Sequence, residues 1–284
     1  KMSIKQLDDC DYQIIGEGSQ GVVYLCTNKV SNAKFVMKEV ELQKMSQKER
    51  ELVLNEAHLY QSALNHQNLI KYINSELSGE YLYMFMDYAN SGSLLQYLQQ
   101  LSEQDKLIDE EEIWVVVLSL MHVLRYLHAQ GYMHRDIKPD NIFLHKIDHF
   151  QVYLGDLGMS KNIKKQQPTT IVGTWEFQAP EMAQNYGKEA DFWSVGIVLY
   201  LMLSFELPVV REENTEQEKQ RIRRYLSQND LPPFETKYTD LYQIMKQLTR
   251  VNVSERLTAD QFFNLEIVKI KIQELKQKYK LDYM

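Results

Sequence analysis

Gly16, Gly18 and Gly21 stand in the run G-E-G-S-Q-G-V-V. Glycine lets backbone amides approach an anion with no side chain in the way. The flanking residues decide which device this is. The run follows a strand-like stretch, Tyr12 to Ile15, and continues into the β-branched and aromatic residues of Val22 to Thr27. A dinucleotide-binding turn needs a helix directly after its glycines, so a dinucleotide oxidoreductase is excluded and a glycine-rich hairpin capping phosphates is expected. Downstream come Lys38 at the end of a strand-like run (F-V-M-K-E-V) and Glu56 in a helical one (V-L-N-E-A-H-L-Y). Then follow H-R-D-I-K-P-D-N from His134 to Asn141, D-L-G from Asp156 to Gly158, and A-P-E from Ala179 to Glu181. A strand lysine alone is usually a solvated charge; the ordered set gives it meaning.

In this order, and across nearly the whole chain, the motifs resemble the signature set of the eukaryotic protein kinase family. Chance agreement of five ordered motifs is negligible. Phosphoryl transfer needs a triphosphate held in line with a hydroxyl and its spreading charge neutralised. The resemblance implies who does this. Ile15 and Val23 sandwich adenine, the glycine run covers the phosphates, and Lys38 binds the α and β phosphates while Glu56 holds it by an ion pair. Asn141 and Asp156 supply the hard oxygens that Mg²⁺ prefers, with Mn²⁺ as an alternative. Asp136 orients or deprotonates the substrate hydroxyl, and Lys138 meets the γ-phosphate charge. Met86 sets the depth of the adenine pocket, the backbones of Asp87 and Ala89 face the base, and Ser93 stands where many relatives have an acidic ribose contact.

Lys138 and Gly173-Thr174 match the serine/threonine pattern of the family, which makes ATP and protein hydroxyls the expected substrates. Arg135 before Asp136 marks kinases whose activation segment is organised by a phosphate. Thr170 is at the usual position and Thr169 is the neighbouring alternative; either a separate activating kinase or autophosphorylation would supply the phosphate. Leu157 in place of Phe in D-F-G resembles the NIMA-like group, Trp175 and Phe177 alter the wall beside the phosphoacceptor, and Val36 replaces a usual Ala. Asp191 resembles a buttress of the catalytic loop, and Arg256 is expected to pair with Glu181. A pseudokinase scaffold and a small-molecule kinase are the rival readings.

The elements that must position these residues follow from periodicity. Short β-like runs fill Tyr12 to Asp87, interrupted by one helical stretch from Lys48 to Leu64; after Ser93 long helical patterns take over. An α+β, two-lobed fold is expected, with a small antiparallel β lobe over 1–87, a hinge at 88–93 (Y-A-N-S-G-S) and a helical lobe over 94–284. Phe192 to Phe205 and Ile113 to Leu127 read as buried core helices, the former shorter than the roughly 18 residues of a spanning segment. Asn264 to Met284 reads as a last amphipathic helix on its own lobe. A chain of 284 residues with net charge −7 does not suit a nucleic-acid binder. Two cysteines without metal spacing, and no secretory pattern at the start, suit a reducing cytoplasmic or nuclear setting without a membrane. The boundaries hug the motifs closely, which suggests an excised catalytic domain.

Overall fold

The computed structural model describes residues 4–18, 21–43, 45–47, 49–51, 53–54, 57, 64–146, 150–157, 160–162, 174–183, 186–209 and 215–279. Glu56, Thr169, Thr170 and Gly173 lie outside the described residues.

β1 (Cys10–Gly18), β2 (Gly21–Asn28), β3 (Lys34–Glu41), β4 (Tyr72–Ser78) and β5 (Tyr81–Asp87) form one antiparallel sheet in the order β1-β2-β3-β5-β4. Side chains alternate across a strand, so register sorts the sheet into two faces. Val23 opposes Lys38, Lys38 opposes Met84, and Val36 opposes Met86. All of these therefore share one face with Val40 and Leu82, which pack against Val53 and Ala57 of the helical stretch before β4. The other face carries Cys10, Cys26, Phe35, Met37 and Phe85 as a separate apolar cluster. A slip of one residue would exchange the two sets.

Two local irregularities lie beside the glycine run. Ile14 opposes Tyr24 and Gly16 opposes Val23, so Ile15 is an extra, bulged residue. Gly21 has φ +124°, and a Cβ there would lie 2.0 Å from the Glu39 carbonyl oxygen. This glycine is thus required by close approach of β2 to β3, a reason separate from any ligand. Gly16 has ordinary space, its nearest neighbour being Val23 at 3.6 Å.

The larger lobe is built on α1 (Leu94–Glu103), α2 (Glu110–Gln130), α3 (Glu189–Ser204), α4 (Glu216–Leu226), α5 (Thr239–Leu248), α6 (Ala259–Asn264) and α7 (Glu266–Tyr279). Asp109 caps α2, three glutamates occupy its first turn, and Gly131 at φ +86° ends it. α2 is long and apolar enough to cross a membrane, but 67% of its most apolar window is buried in the lobe, as a core helix requires. α3 is buried almost all round, from Ala190 to Leu203. α7 buries Val268 and Leu275, and Lys278 Nζ meets Glu111 Oε2 at 2.7 Å, so this helix packs on its own lobe as expected. The whole is the expected two-lobed α+β architecture.

The connection between the lobes is pinned to β7 (Ile142–Lys146), which pairs with β8 (Phe150–Leu154). Ser91 N donates to Leu144 O, Leu144 N to Gly92 O, and Lys146 N to Asn90 Oδ1. Ser93, expected near a ribose, caps α1: its hydroxyl accepts from Gln96 N at 3.3 Å in a capping box.

The loop before β4 is fastened to α2 by rings. His66 lies 4.6 Å from His122 and 5.1 Å from Tyr126, and its Nδ1 accepts from Asn68 N. Burial, with the neighbouring His122 second, pushes His66 down to about 4. A histidine depressed in the folded state stabilises fully above its unfolded value, and that contribution is lost as pH falls toward the folded one. Urea unfolding should therefore show about 1–2 kcal/mol less stability at about pH 5 than at about pH 8, allowing for partial exposure. His66→Gln should flatten this limb. An identical limb in that variant would assign the titration elsewhere.

Candidate active site

The segment after β6 (Tyr132–Met133) carries His134, Arg135 and Asp136 without regular structure, and a 3-10 turn from Pro139 to Asn141 follows. Asp136 is 7% exposed and wholly engaged. Its Oδ1 accepts from Thr174 N at 2.8 Å and from the Thr174 hydroxyl at 3.1 Å. Its Oδ2 meets Lys138 Nζ and Asn141 Nδ2, each at 3.0 Å. Lys138 also donates to Thr174 Oγ1 at 2.7 Å, closing the ring. Burial alone would raise the Asp136 carboxyl, but the Lys138 charge and the Thr174 N–H outweigh it and hold the group below the usual carboxylate range. The site is thus an ionised carboxylate beside a cation and a hydroxyl. Such a group can orient or accept a proton.

Asn141 and Asp156 are brought together by the β7–β8 hairpin. Ile142 opposes Leu154 at its open end, and just beyond, Gly155 N donates to Asn141 O at 2.9 Å. Asp156 follows at φ +58°, a left-handed conformation that costs a non-glycine residue about 1–3 kcal/mol. His134 Nε2 holds the Gly155 carbonyl at 2.9 Å, and Leu157 fills a fully buried apolar slot. Asn141 commits its Nδ2 to Asp136; its side-chain carbonyl oxygen and the Asp156 carboxylate are hard oxygens of the kind Mg²⁺ takes together with phosphate oxygens. The residues fit that ion.

Asp191, at the start of α3, sits under the loop. Its Oδ2 accepts from His134 N at 2.9 Å and His128 Nε2 at 2.8 Å, and its Oδ1 accepts from Arg135 N at 2.9 Å. Burial would raise this carboxyl too, yet the His128 hydrogen bond and neighbouring charges hold it low. These bonds fix Arg135 at φ +71°, where Asp136 turns toward Thr174. The Arg135 guanidinium reaches the Tyr186 hydroxyl at 3.5 Å.

The β sheet supplies the other expected residues. Val23, Lys38 and Met86 share its inner face through register, with Ile15 bulged beside the glycines and Ala89 buried after β5. Reasoning from sequence missed His128, because a single helical histidine is more often simple core. Arg256 and Glu181 do pair: Nη2 lies 3.0 Å from Oε2 and Nη1 is close to Oε1.

The protein kinase domain family matches residues 11–268. A probable serine/threonine-protein kinase nek3 of Dictyostelium discoideum is 29% identical over 91% of this chain and 23% of its own length. The serine/threonine-protein kinase PAK 4 of Homo sapiens is 35% identical over 70% of this chain and 32% of its own, and the serine/threonine-protein kinase Nek8 of Danio rerio is 32% identical over 68% and 28%. The chain thus spans a quarter to a third of the length of these relatives. The nek-named relatives agree with the NIMA-like D-L-G signal, although PAK proteins match as well. The match, and the ring of contacts around Asp136, place this chain in the protein kinase family, among relatives of the serine/threonine type.

Proposed function

We propose that the chain transfers the γ-phosphoryl group of Mg·ATP to serine and threonine hydroxyls of other proteins. The observation that carries this reading is the closed set Asp136–Lys138–Thr174–Asn141. An incoming hydroxyl that displaces Thr174 from Asp136 Oδ1 meets a carboxylate kept ionised by the adjacent lysine. Asp136 orients that hydroxyl and takes its proton as the new O–P bond forms and the bond from the γ-phosphorus to the β,γ-bridging oxygen breaks to release ADP, while Lys138 neutralises charge on the transferred group. Bound Mg²⁺, held by Asn141 and Asp156, supplies further charge neutralisation at the phosphates. Lys38 holds the α and β phosphates, positioned by Glu56. Ile15, Val23 and Met86 enclose the base with the backbones of Asp87 and Ala89, and Gly16, Gly18 and Gly21 line the phosphate side. Ser93, occupied in capping α1, gives little to the ribose.

Phosphorylation of Thr170, or of Thr169, by autophosphorylation or by another kinase orders the activation segment through Arg135. Cys10 and Cys26 are buried and not joined in a disulfide, which supports a reducing setting, cytoplasmic or nuclear.

The test is transfer of labelled phosphate from Mg·ATP to myelin basic protein, followed by phosphoamino acid analysis. Label in phosphoserine and phosphothreonine, abolished by EDTA and restored by Mg²⁺, is expected. Label in phosphotyrosine would sink the substrate class. Retained ATP binding with no transfer, before and after treatment with an activating kinase, would favour the pseudokinase scaffold.

A further inference from the structure

Beyond the catalytic ring, the segment from Thr174 to Gln178 is tied down at two further points. Ser194 on α3 donates to the Phe177 carbonyl at 2.8 Å, fixing the 3-10 turn Trp175–Phe177 against the core. At its far end the buried Gln178, only 5% exposed, accepts at Oε1 from Arg223 Nη2 of α4 at 2.8 Å. Arg223 is itself steered by Glu216 of the first turn of α4, 3.9 Å away. α4 is otherwise lightly anchored: among its residues only Ile222 and Leu226 are buried, and apart from the exposed Tyr225 its remaining surface is polar. A mainly polar helix thus reaches the wall beside Thr174 with a charged, mostly buried hydrogen bond.

We infer that Arg223 is a positioning residue for protein substrates, acting through Gln178 to hold α4 and the wall Trp175–Phe177 in one arrangement. The inference rests on the kinase reading above. A protein whose hydroxyl lies at Asp136 must lay its next residues along the segment that begins at Thr174, because Thr174 touches that carboxylate directly. Half-buried Trp175 and Glu176 then border the substrate chain, and α4 adjoins the Pro180–Ala183 turn that continues the wall. The residues expected to meet the nucleotide, Val23, Lys38 and Met86, lie on the sheet instead. Loss of the Arg223–Gln178 bond therefore weakens the hold on protein and leaves ATP and the chemical step alone.

Steady-state kinetics on Arg223→Met and Gln178→Met test this with myelin basic protein and ATP as varied substrates. Each variant should raise KM for the protein about tenfold, the effect of losing one charge-assisted hydrogen bond, with kcat and KM for ATP within about twofold. The double variant should be no worse than either single one. Because Gln178→Met leaves the charge unchanged, agreement between the two singles excludes a mere electrostatic effect on a basic substrate. An unchanged KM for the protein, or a joint fall of kcat and thermal midpoint, would overturn the assignment. Absence of transfer by the parent chain would instead overturn the enzyme reading. The same variants are then titrated with the basic protein, where a tenfold loss of affinity supports positioning and equal affinity refutes it.

Discussion

Replacing Asp136 with Asn is expected to lower kcat for phosphoryl transfer by about two to four orders of magnitude, the range a positioned general base contributes. Binding of ATP should stay within about twofold, because Asp136 faces Thr174 and Lys138 on the lobe opposite the sheet. The substitution keeps shape but removes the charge, and its amide must place a donor either where Lys138 and Asn141 already donate or where the Thr174 N–H and hydroxyl do. Lys138 then loses its carboxylate partner and keeps only the Thr174 hydroxyl at the moment its charge is needed. Since the carboxyl is depressed in the folded state, its stabilising contribution is present above the usual carboxylate value and lost only as pH falls through the lower one. Asp136 is therefore ionised across the neutral range, and an acid limb of the rate profile near pH 6 would belong to another group. A variant that keeps more than about a tenth of parental kcat would show that Thr174, Lys138 and the phosphates suffice without a base.

What could be read without coordinates followed from how each feature is encoded. The sheet lobe and helical lobe were legible because hydrophobic period changes from two to 3.6 near Ser93, and the inner-face placement of Val23, Lys38 and Met86 follows once register is known. Asp136, Asn141 and Asp156 were legible because their motifs are contiguous in sequence. Contacts between distant segments were not. Nothing adjacent to His128 announces Asp191, sixty-three residues on, and nothing near Gln178 announces Arg223. Gly21 has a second reason that its motif does not show: a Cβ there would meet the carbonyl of Glu39. Ser93 stands at the expected ribose position, and because Gln96 follows three residues later it also forms a capping box at the helix start.

Arg256→Met should be the most destabilising of the substitutions considered, because it removes one side of a buried pair with several further ties. The Arg256 side chain is fully buried and that of Glu181 is 18% exposed. Its guanidinium also donates to Glu189 O at 3.0 Å and to Arg250 O at 3.0 Å, and lies 5.2 Å over the Trp193 ring. One side chain thus joins the turn after the activation segment, the start of α3 and the loop after α5. Met fills the volume but leaves the Glu181 carboxylate and two carbonyls without their donor, at a cost of about 3–5 kcal/mol. For a domain of this size that corresponds to a fall in thermal midpoint of about 6–15 °C, readable by differential scanning calorimetry. Adding Glu181→Gln should return part of the loss, since the uncompensated charge is the costly element. Arg256→Lys should recover little, because an ammonium cannot serve a bidentate carboxylate, two carbonyls and a ring at once. A midpoint within about 2 °C of the parent for Arg256→Met would mean that water replaces these bonds and that the pair holds nothing together.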